Sequence, residues 1–170
     1  SVDQWAQGRT QREILEVVLQ VCDALAYAHR HLIIHCDLKP SNILINTQGQ
    51  AKLLDFGIAR ILSPDTSGNT IPHLTPQYAS PEQLRNQPLS TATDIYSLGV
   101  VLFRLLTGQL PYAATRAPST DPVALAQQIC ESPAPALGTK FPRDLEAIVA
   151  KSLAKEPGER YASAAALGQD

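Results

Sequence analysis

The sequence predicts a mainly α-helical domain with one small β-hairpin. Three observations carry that expectation. Apolar residues recur at helical spacing from Thr10 to about Arg30, and a second, almost wholly apolar helix spans roughly Ala92 to Thr107. Between them, Ile43-Leu44-Ile45 and Lys52-Leu53-Leu54 flank the polar turn Thr47-Gln48-Gly49-Gln50, the pattern of two short paired strands.

The elements follow in order. In the first helix Ile14, Val17, Val18, Val21, Leu25 and Ala28 fall on one face. Residues 32–35, LIIH, read as a short extended stretch before the hairpin. From Gly57 to Ser80 the chain carries Pro64, Gly68, Pro72 and Pro76 among Ser and Thr, which predicts a long loop. The helix at 92–107 spreads Ile95, Leu98, Val100, Val101, Leu102, Phe103, Leu105 and Leu106 around its circumference, as a helix enclosed on nearly all sides does, and Gly108 supplies its stop. A shorter helix is expected with Asp121 as its cap and Pro122 in its first turn, followed by helices near 143–153 and 162–167.

Composition bounds the function. The 170 residues carry 14 Lys and Arg against 16 Asp and Glu, so the net charge of −2 offers no general attraction to nucleic acid or to an anionic membrane. Any phosphate chemistry has to be local. Arg104 interrupts the longest apolar run, leaving no membrane segment, and no signal peptide is visible. The three cysteines, Cys22, Cys36 and Cys130, are odd in number and widely spaced. That argues against a disulfide framework or a zinc site and suits a reducing cytoplasm. The chain contains no methionine, so Ser1 is expected to be an internal or processed start.

The densest chemistry lies in HCDLKPSN, residues 35–42. A Cys/His nucleophile pair, a metal site, and a carboxylate base with a cationic helper all compete for it. Adjacent residues of an extended segment face opposite sides, which weakens a His35–Cys36 pair, and a free cysteine is more often a small buried apolar group. If the turn is centred between Gln48 and Gly49, Asn42 stands opposite Asp55. Directly opposed residues have Cα atoms about 4.5–5.5 Å apart. Two hard oxygen donors would then meet beside Asp37. Oxygen donors without thiolate or several imidazoles suit Mg²⁺ shared with substrate phosphates. The expected chemistry is phosphoryl transfer, with Asp37 as base, Lys39 as the local positive charge, and Asn42 with Asp55 as metal ligands.

The same residues resemble the protein kinases. HCDLKPSN followed by LLDFG (53–57) is similar to the kinase catalytic loop and DFG motif. TPQYASPEQ (75–83) resembles the end of an activation segment, DIYSLGVVLFRLLTG (94–108) the buried helix of the large lobe, and EPGERY (156–161) the stretch with the arginine that pairs with the glutamate of Ala-Pro-Glu. Four motifs in this order are far more specific than any one.

The closest likeness is to bacterial serine/threonine kinases of eukaryotic type, and it covers nearly the whole chain. It implies a kinase-like fold with only the C-terminal lobe present: residues 1–170 as a partial kinase domain, catalytic loop 35–42, DFG 55–57 and activation segment 55–82. By resemblance, Asp37 accepts the hydroxyl proton, Lys39 contacts the γ-phosphate, Asn42 and Asp55 hold Mg²⁺, and Leu44 forms the floor beneath adenine. Lys39 with Thr75 is the pattern of the Ser/Thr class. His35, Phe56, Gly57, Glu82, Asp94 and Arg160 take structural roles: Asp94 anchors the catalytic loop, and Glu82 with Arg160 forms a buried ion pair. Read without the resemblance, Asp94 closes a capping box with Thr91, and Glu82 and Arg160 are unrelated surface charges.

The implied partners are ATP, Mg²⁺, a protein substrate and an N-terminal lobe, because no Gly-x-Gly-x-x-Gly occurs in the sequence. Turnover by this chain alone is not expected. The competing reading is a non-catalytic, pseudokinase-like module that binds nucleotide or protein. Two departures stand out. Cys36 replaces the usual arginine, so ordering by phosphorylation at Thr66, Ser67 or Thr70 is not expected, and Leu74 stands where glycine is common.

Overall fold

The computed structural model describes residues 1–55, 60–61, 75–112 and 122–170. A short helix α1, Val2–Ala6, precedes α2, Gln11–Arg30. Thr10 caps α2 by accepting from the Glu13 amide, and Glu13 reaches back to the Thr10 amide at 2.8 Å. The anticipated apolar face is buried from Ile14 to Ala28, with Cys22 among it. Helix α2 ends at His31, and Leu32 turns the chain at φ 60° into strand β1, Ile33–Ile34.

Strand β2, Ile43–Ile45, pairs antiparallel with β3, Ala51–Leu53. The hairpin is where the sequence places it, but its register is one residue lower. Ile43 faces Leu53, and the Leu54 amide donates to the Asn42 carbonyl at 2.8 Å, so Asn42 stands opposite Leu54 and not Asp55. The cause is the turn. Asn46 Oδ1 accepts from the Gln48 and Gln50 amides, Asn46 and Gln50 pair, and Gly49 at φ +75° completes a three-residue loop. Gln20 of α2 holds this tip, donating to the Gly49 carbonyl and accepting from the Ala51 amide at 2.9 Å. A second sheet was not foreseen: β1 pairs antiparallel with β4, Arg60–Ile61, inside the stretch read as loop.

Past a 3₁₀ turn at Pro76–Tyr78 lie α3, Pro81–Leu84, and α4, Thr91–Thr107. Every residue of α4 from Thr93 to Phe103 is buried. Ser90 caps it, with Thr93 closing the capping box, so the box expected between Thr91 and Asp94 is not formed. Gly108 ends it in the left-handed conformation, φ 75°. Then come α5, Pro122–Glu131, α6, Arg143–Ser152, a 3₁₀ turn at Pro157–Glu159, and α7, Ala164–Gln169, capped by Ser163. The expected cap Asp121 lies outside the described residues, as do Phe56, Gly57, Thr66, Ser67, Thr70 and Leu74.

One core joins these helices, with α2 packed against α7 and α4, and α4 against α6. Gly99 permits the α4–α6 approach, since a Cβ there would lie 2.8 Å from Ser152 Cβ. Among the described residues no helix is long and apolar enough to cross a membrane. None of Cys22, Cys36 and Cys130 forms a disulfide.

Candidate active site

The loop 35–42 leaves β1 and is fastened before it reaches Asp37. Asp94, fully enclosed on α4, must find donors for its carboxylate, and it finds three. Oδ2 accepts from the His35 amide at 2.8 Å and from His29 Nε2 at 2.8 Å, and Oδ1 accepts from the Cys36 amide at 2.9 Å. His35 is completely buried and plays a bracing part. Its Nδ1 accepts from the Asp37 amide at 3.3 Å, which leaves the ring proton on Nε2 to be donated to the Leu54 carbonyl at 2.9 Å. The loop is thereby tied to the hairpin. Cys36 is buried, with its thiol directed to the Ile34 carbonyl at 3.8 Å. Such an enclosed thiol, beside a histidine already bonded at both nitrogens, does not make a nucleophile.

Beyond Cys36 the candidate side chains converge. Lys39 Nζ pairs with Asp37 Oδ2 at 2.7 Å and donates to Thr75 Oγ1 at 2.9 Å, linking the loop to the segment before α3. Both members of the ion pair are largely covered, with the Asp37 side chain 12% and that of Lys39 22% exposed. Pro40–Asn42 makes one 3₁₀ turn, and Asn42 is buried. Asn42 Nδ2 donates to the Asp37 carbonyl at 2.9 Å and approaches Asp37 Oδ2 at 3.4 Å, which fixes the amide with Oδ1 on the opposite side.

Asp55 follows Leu54 at the open end of the hairpin, exposed and at φ 55°. It makes no side-chain hydrogen bond or ion pair with the described residues. Asp37, Lys39, Asn42 and Thr75 are thus brought into direct contact, whereas Asp55 is their neighbour through the Leu54 backbone. Leu44 and Leu54, 39% and 37% exposed, present apolar surface on the same hairpin.

The donors here are hard oxygens: the Asp37 and Asp55 carboxylates and Asn42 Oδ1. Among the described residues no three His, Cys, Asp or Glu side chains gather as a metal cage. One or two carboxylates with an amide suit Mg²⁺, which keeps waters and shares phosphate oxygens. The residues present fit that ion.

Behind the site, Arg160 holds Glu82 with two bonds, 2.7 Å to Oε1 and 2.8 Å to Oε2, and Thr93 Oγ1 adds a third at 3.0 Å. Burial alone would push the Glu82 carboxyl up; the Arg160 bonds and charge overcome it, so the group ends below its ordinary value. Arg160 also donates to the carbonyls of Ala92, Ala154 and Lys155. It ties the start of α4 to the stretch after α6.

Sequence reasoning missed His29 and Gln83. His29 sits one turn beyond Leu25 on the buried face of α2, so its burial was legible, although its partner was not. Gln83 stands at the third position of α3, where a capping box places a Glu or Gln after Ser80.

A family model described as protein kinase domain matches residues 4–170. The serine/threonine-protein kinase PknB of Mycolicibacterium smegmatis is 41% identical over 167 residues, which cover 94% of this chain and 26% of that protein. PknB of Mycobacterium tuberculosis is 40% identical over 169 residues, 95% of this chain and 26% of that protein. The serine/threonine-protein kinase PrkC of Bacillus subtilis is 40% identical over 161 residues, 94% and 24% respectively. The chain spans about a quarter of the length of these curated relatives.

Proposed function

This chain belongs to the protein kinase domain family, and from that premise we propose that it forms the large lobe of a protein serine/threonine kinase, which transfers the γ-phosphate of ATP to a Ser or Thr hydroxyl. The observation that carries the reading is Lys39 Nζ, shared between Asp37 Oδ2 at 2.7 Å and Thr75 Oγ1 at 2.9 Å.

Asp37 receives the proton of the attacking hydroxyl. Its backbone is braced on one side by His35 and on the other by Asn42, so the carboxylate is held in place before substrate arrives. Lys39 sets a positive charge where the transferred group becomes most negative. Thr75 steadies the lysine and marks the substrate side of the site. Asn42 Oδ1 and Asp55 would hold Mg²⁺, and Leu44 would lie under the adenine. When bound, Mg·ATP supplies the phosphoryl group and a divalent charge on its oxygens. The glycine-rich cover and the strand lysine are assigned to an N-terminal lobe outside this sequence, so the lone chain is expected not to turn over. Cys36 leaves no arginine for a phosphorylated loop to grip, which supports activity without that modification.

The test is transfer of labelled γ-phosphate to a generic protein substrate by the intact protein carrying this chain. Asp37→Asn should lower the rate at least about a hundredfold, and the label should appear on Ser and Thr. Equal incorporation by the Asp37→Asn variant would remove Asp37 from this role, and nucleotide binding with no transfer by the wild type would favour a binding module.

A further inference from the structure

We infer that Gln83 is a positioning residue for Asp37, acting through the backbone of Cys36. This rests on the reading of Asp37 as the proton acceptor. Cys36 is a non-glycine residue at φ 64°, a left-handed conformation that side chains adopt at a cost and keep only where surroundings impose it. Here the surroundings are two buried side chains from different helices. Asp94 of α4 takes the Cys36 amide at 2.9 Å, and Gln83 Nε2 of α3 donates to the Cys36 carbonyl at 2.7 Å. That carbonyl belongs to the peptide bond leading into Asp37. Its orientation therefore sets the direction from which the Asp37 side chain emerges.

The orientation of the Gln83 amide is fixed by its other end. Oε1 accepts from the Ser80 amide at 2.9 Å and from Ser80 Oγ at 3.2 Å, and the backbone amide, which can only donate, could not face an NH₂ group. Gln83 is 3% exposed and Cys36 2%, so water does not replace the bond when it is removed. One side chain thus joins the N-terminus of α3, which directly follows the Thr75 segment, to the residue before Asp37. An ordinary capping glutamine would need only the Ser80 bonds. The donation across to Cys36, 47 positions away in sequence, is additional to capping.

The proposal separates the two duties of Gln83. In the intact protein carrying this chain, Gln83→Met should lower kcat for phosphate transfer about tenfold or more while KM for ATP stays within about twofold. Ser80→Ala removes the hydroxyl contacts of the cap but leaves the Cys36 bond, and should leave kcat within about threefold. Amide hydrogen exchange gives a readout that does not need activity. Gln83→Met should speed exchange at Cys36 and Asp37 about tenfold, with the amides of Leu98–Val101 unchanged. Unchanged exchange at Cys36 and Asp37 would overturn the proposal, and so would equal acceleration along α4, since the residue would then serve the fold at large. If Asp37→Asn transfers phosphate as well as wild type, the catalytic reading fails, while exchange still decides whether Gln83 holds this peptide.

Discussion

Arg160 and Glu82, 78 positions apart in sequence, meet through two bonds of 2.7 and 2.8 Å with side chains 0% and 2% exposed. A buried pair of this kind is weak as a source of net stability, but removing one partner strands the other. Glu82→Gln should therefore cost ~3–5 kcal/mol at neutral pH, measured by urea unfolding. The Glu82 carboxyl lies below its ordinary value of 4.5 in the folded protein. Its contribution is then complete above 4.5 and lost as pH falls through the lower folded value. The gap between wild type and Glu82→Gln should accordingly close in acid.

Gly99 gives a prediction whose sign runs against helix propensity. Alanine in a helix interior is normally better than glycine by about 1 kcal/mol. A Cβ here would meet Ser152 Cβ at 2.8 Å and Leu153 Cδ2 at 3.2 Å, so α4 and α6 would have to separate. Overpacking of this sort costs roughly 1–3 kcal/mol. Gly99→Ala should lower the urea midpoint with the m-value unchanged.

Lys155 donates to Tyr112 Oη and to the Ile129 carbonyl, each at 2.6 Å, and burial pushes its ammonium down from 10.5 to about 8. A neutral amine retains two N–H donors, so both bonds survive the loss of a proton. A ¹³C titration of the Lys155 side chain should show a midpoint near 8. Between about 8 and 10 the unfolded chain holds more protons at this group, so stability should rise with pH across that interval. Lys155→Met should lack the rise.

Lys39 and Thr75 allow the proposed site to be graded. Thr75→Val keeps the shape and the Lys39–Asp37 pair but removes one partner of the ammonium. It should slow transfer by about tenfold. Lys39→Ala removes the charge itself and should slow transfer at least about a hundredfold, read from initial rates at saturating ATP.

The long helices were legible because their apolar residues repeat with the helical period, and Gly108 announced an end that the left-handed φ bears out. The hairpin was legible as well, but its register was not. A two-sided acceptance by the Asn46 side chain set the loop at three residues, and no periodicity reports such a choice. That single residue moved Leu54, not Asp55, opposite Asn42. The β1–β4 pair and the bonds from His29 to Asp94 and from Gln83 to Cys36 join positions distant in sequence, so nothing local betrays them. The clustering of Asp37, Lys39 and Asn42 was readable because eight consecutive residues supply most of the candidate site. The Glu82–Arg160 pair was readable only through resemblance.

Asp94 secures the end of α2 and two consecutive amides of the Asp37 loop from inside a helix that is covered along most of its length. Machinery bolted to the frame in this fashion cannot be swung out of the way without prising the interior apart. On the proposed reading, control of transfer falls to lighter pieces, those laid over the site or withheld from it, while Asp37, the proposed proton acceptor, stays cocked throughout.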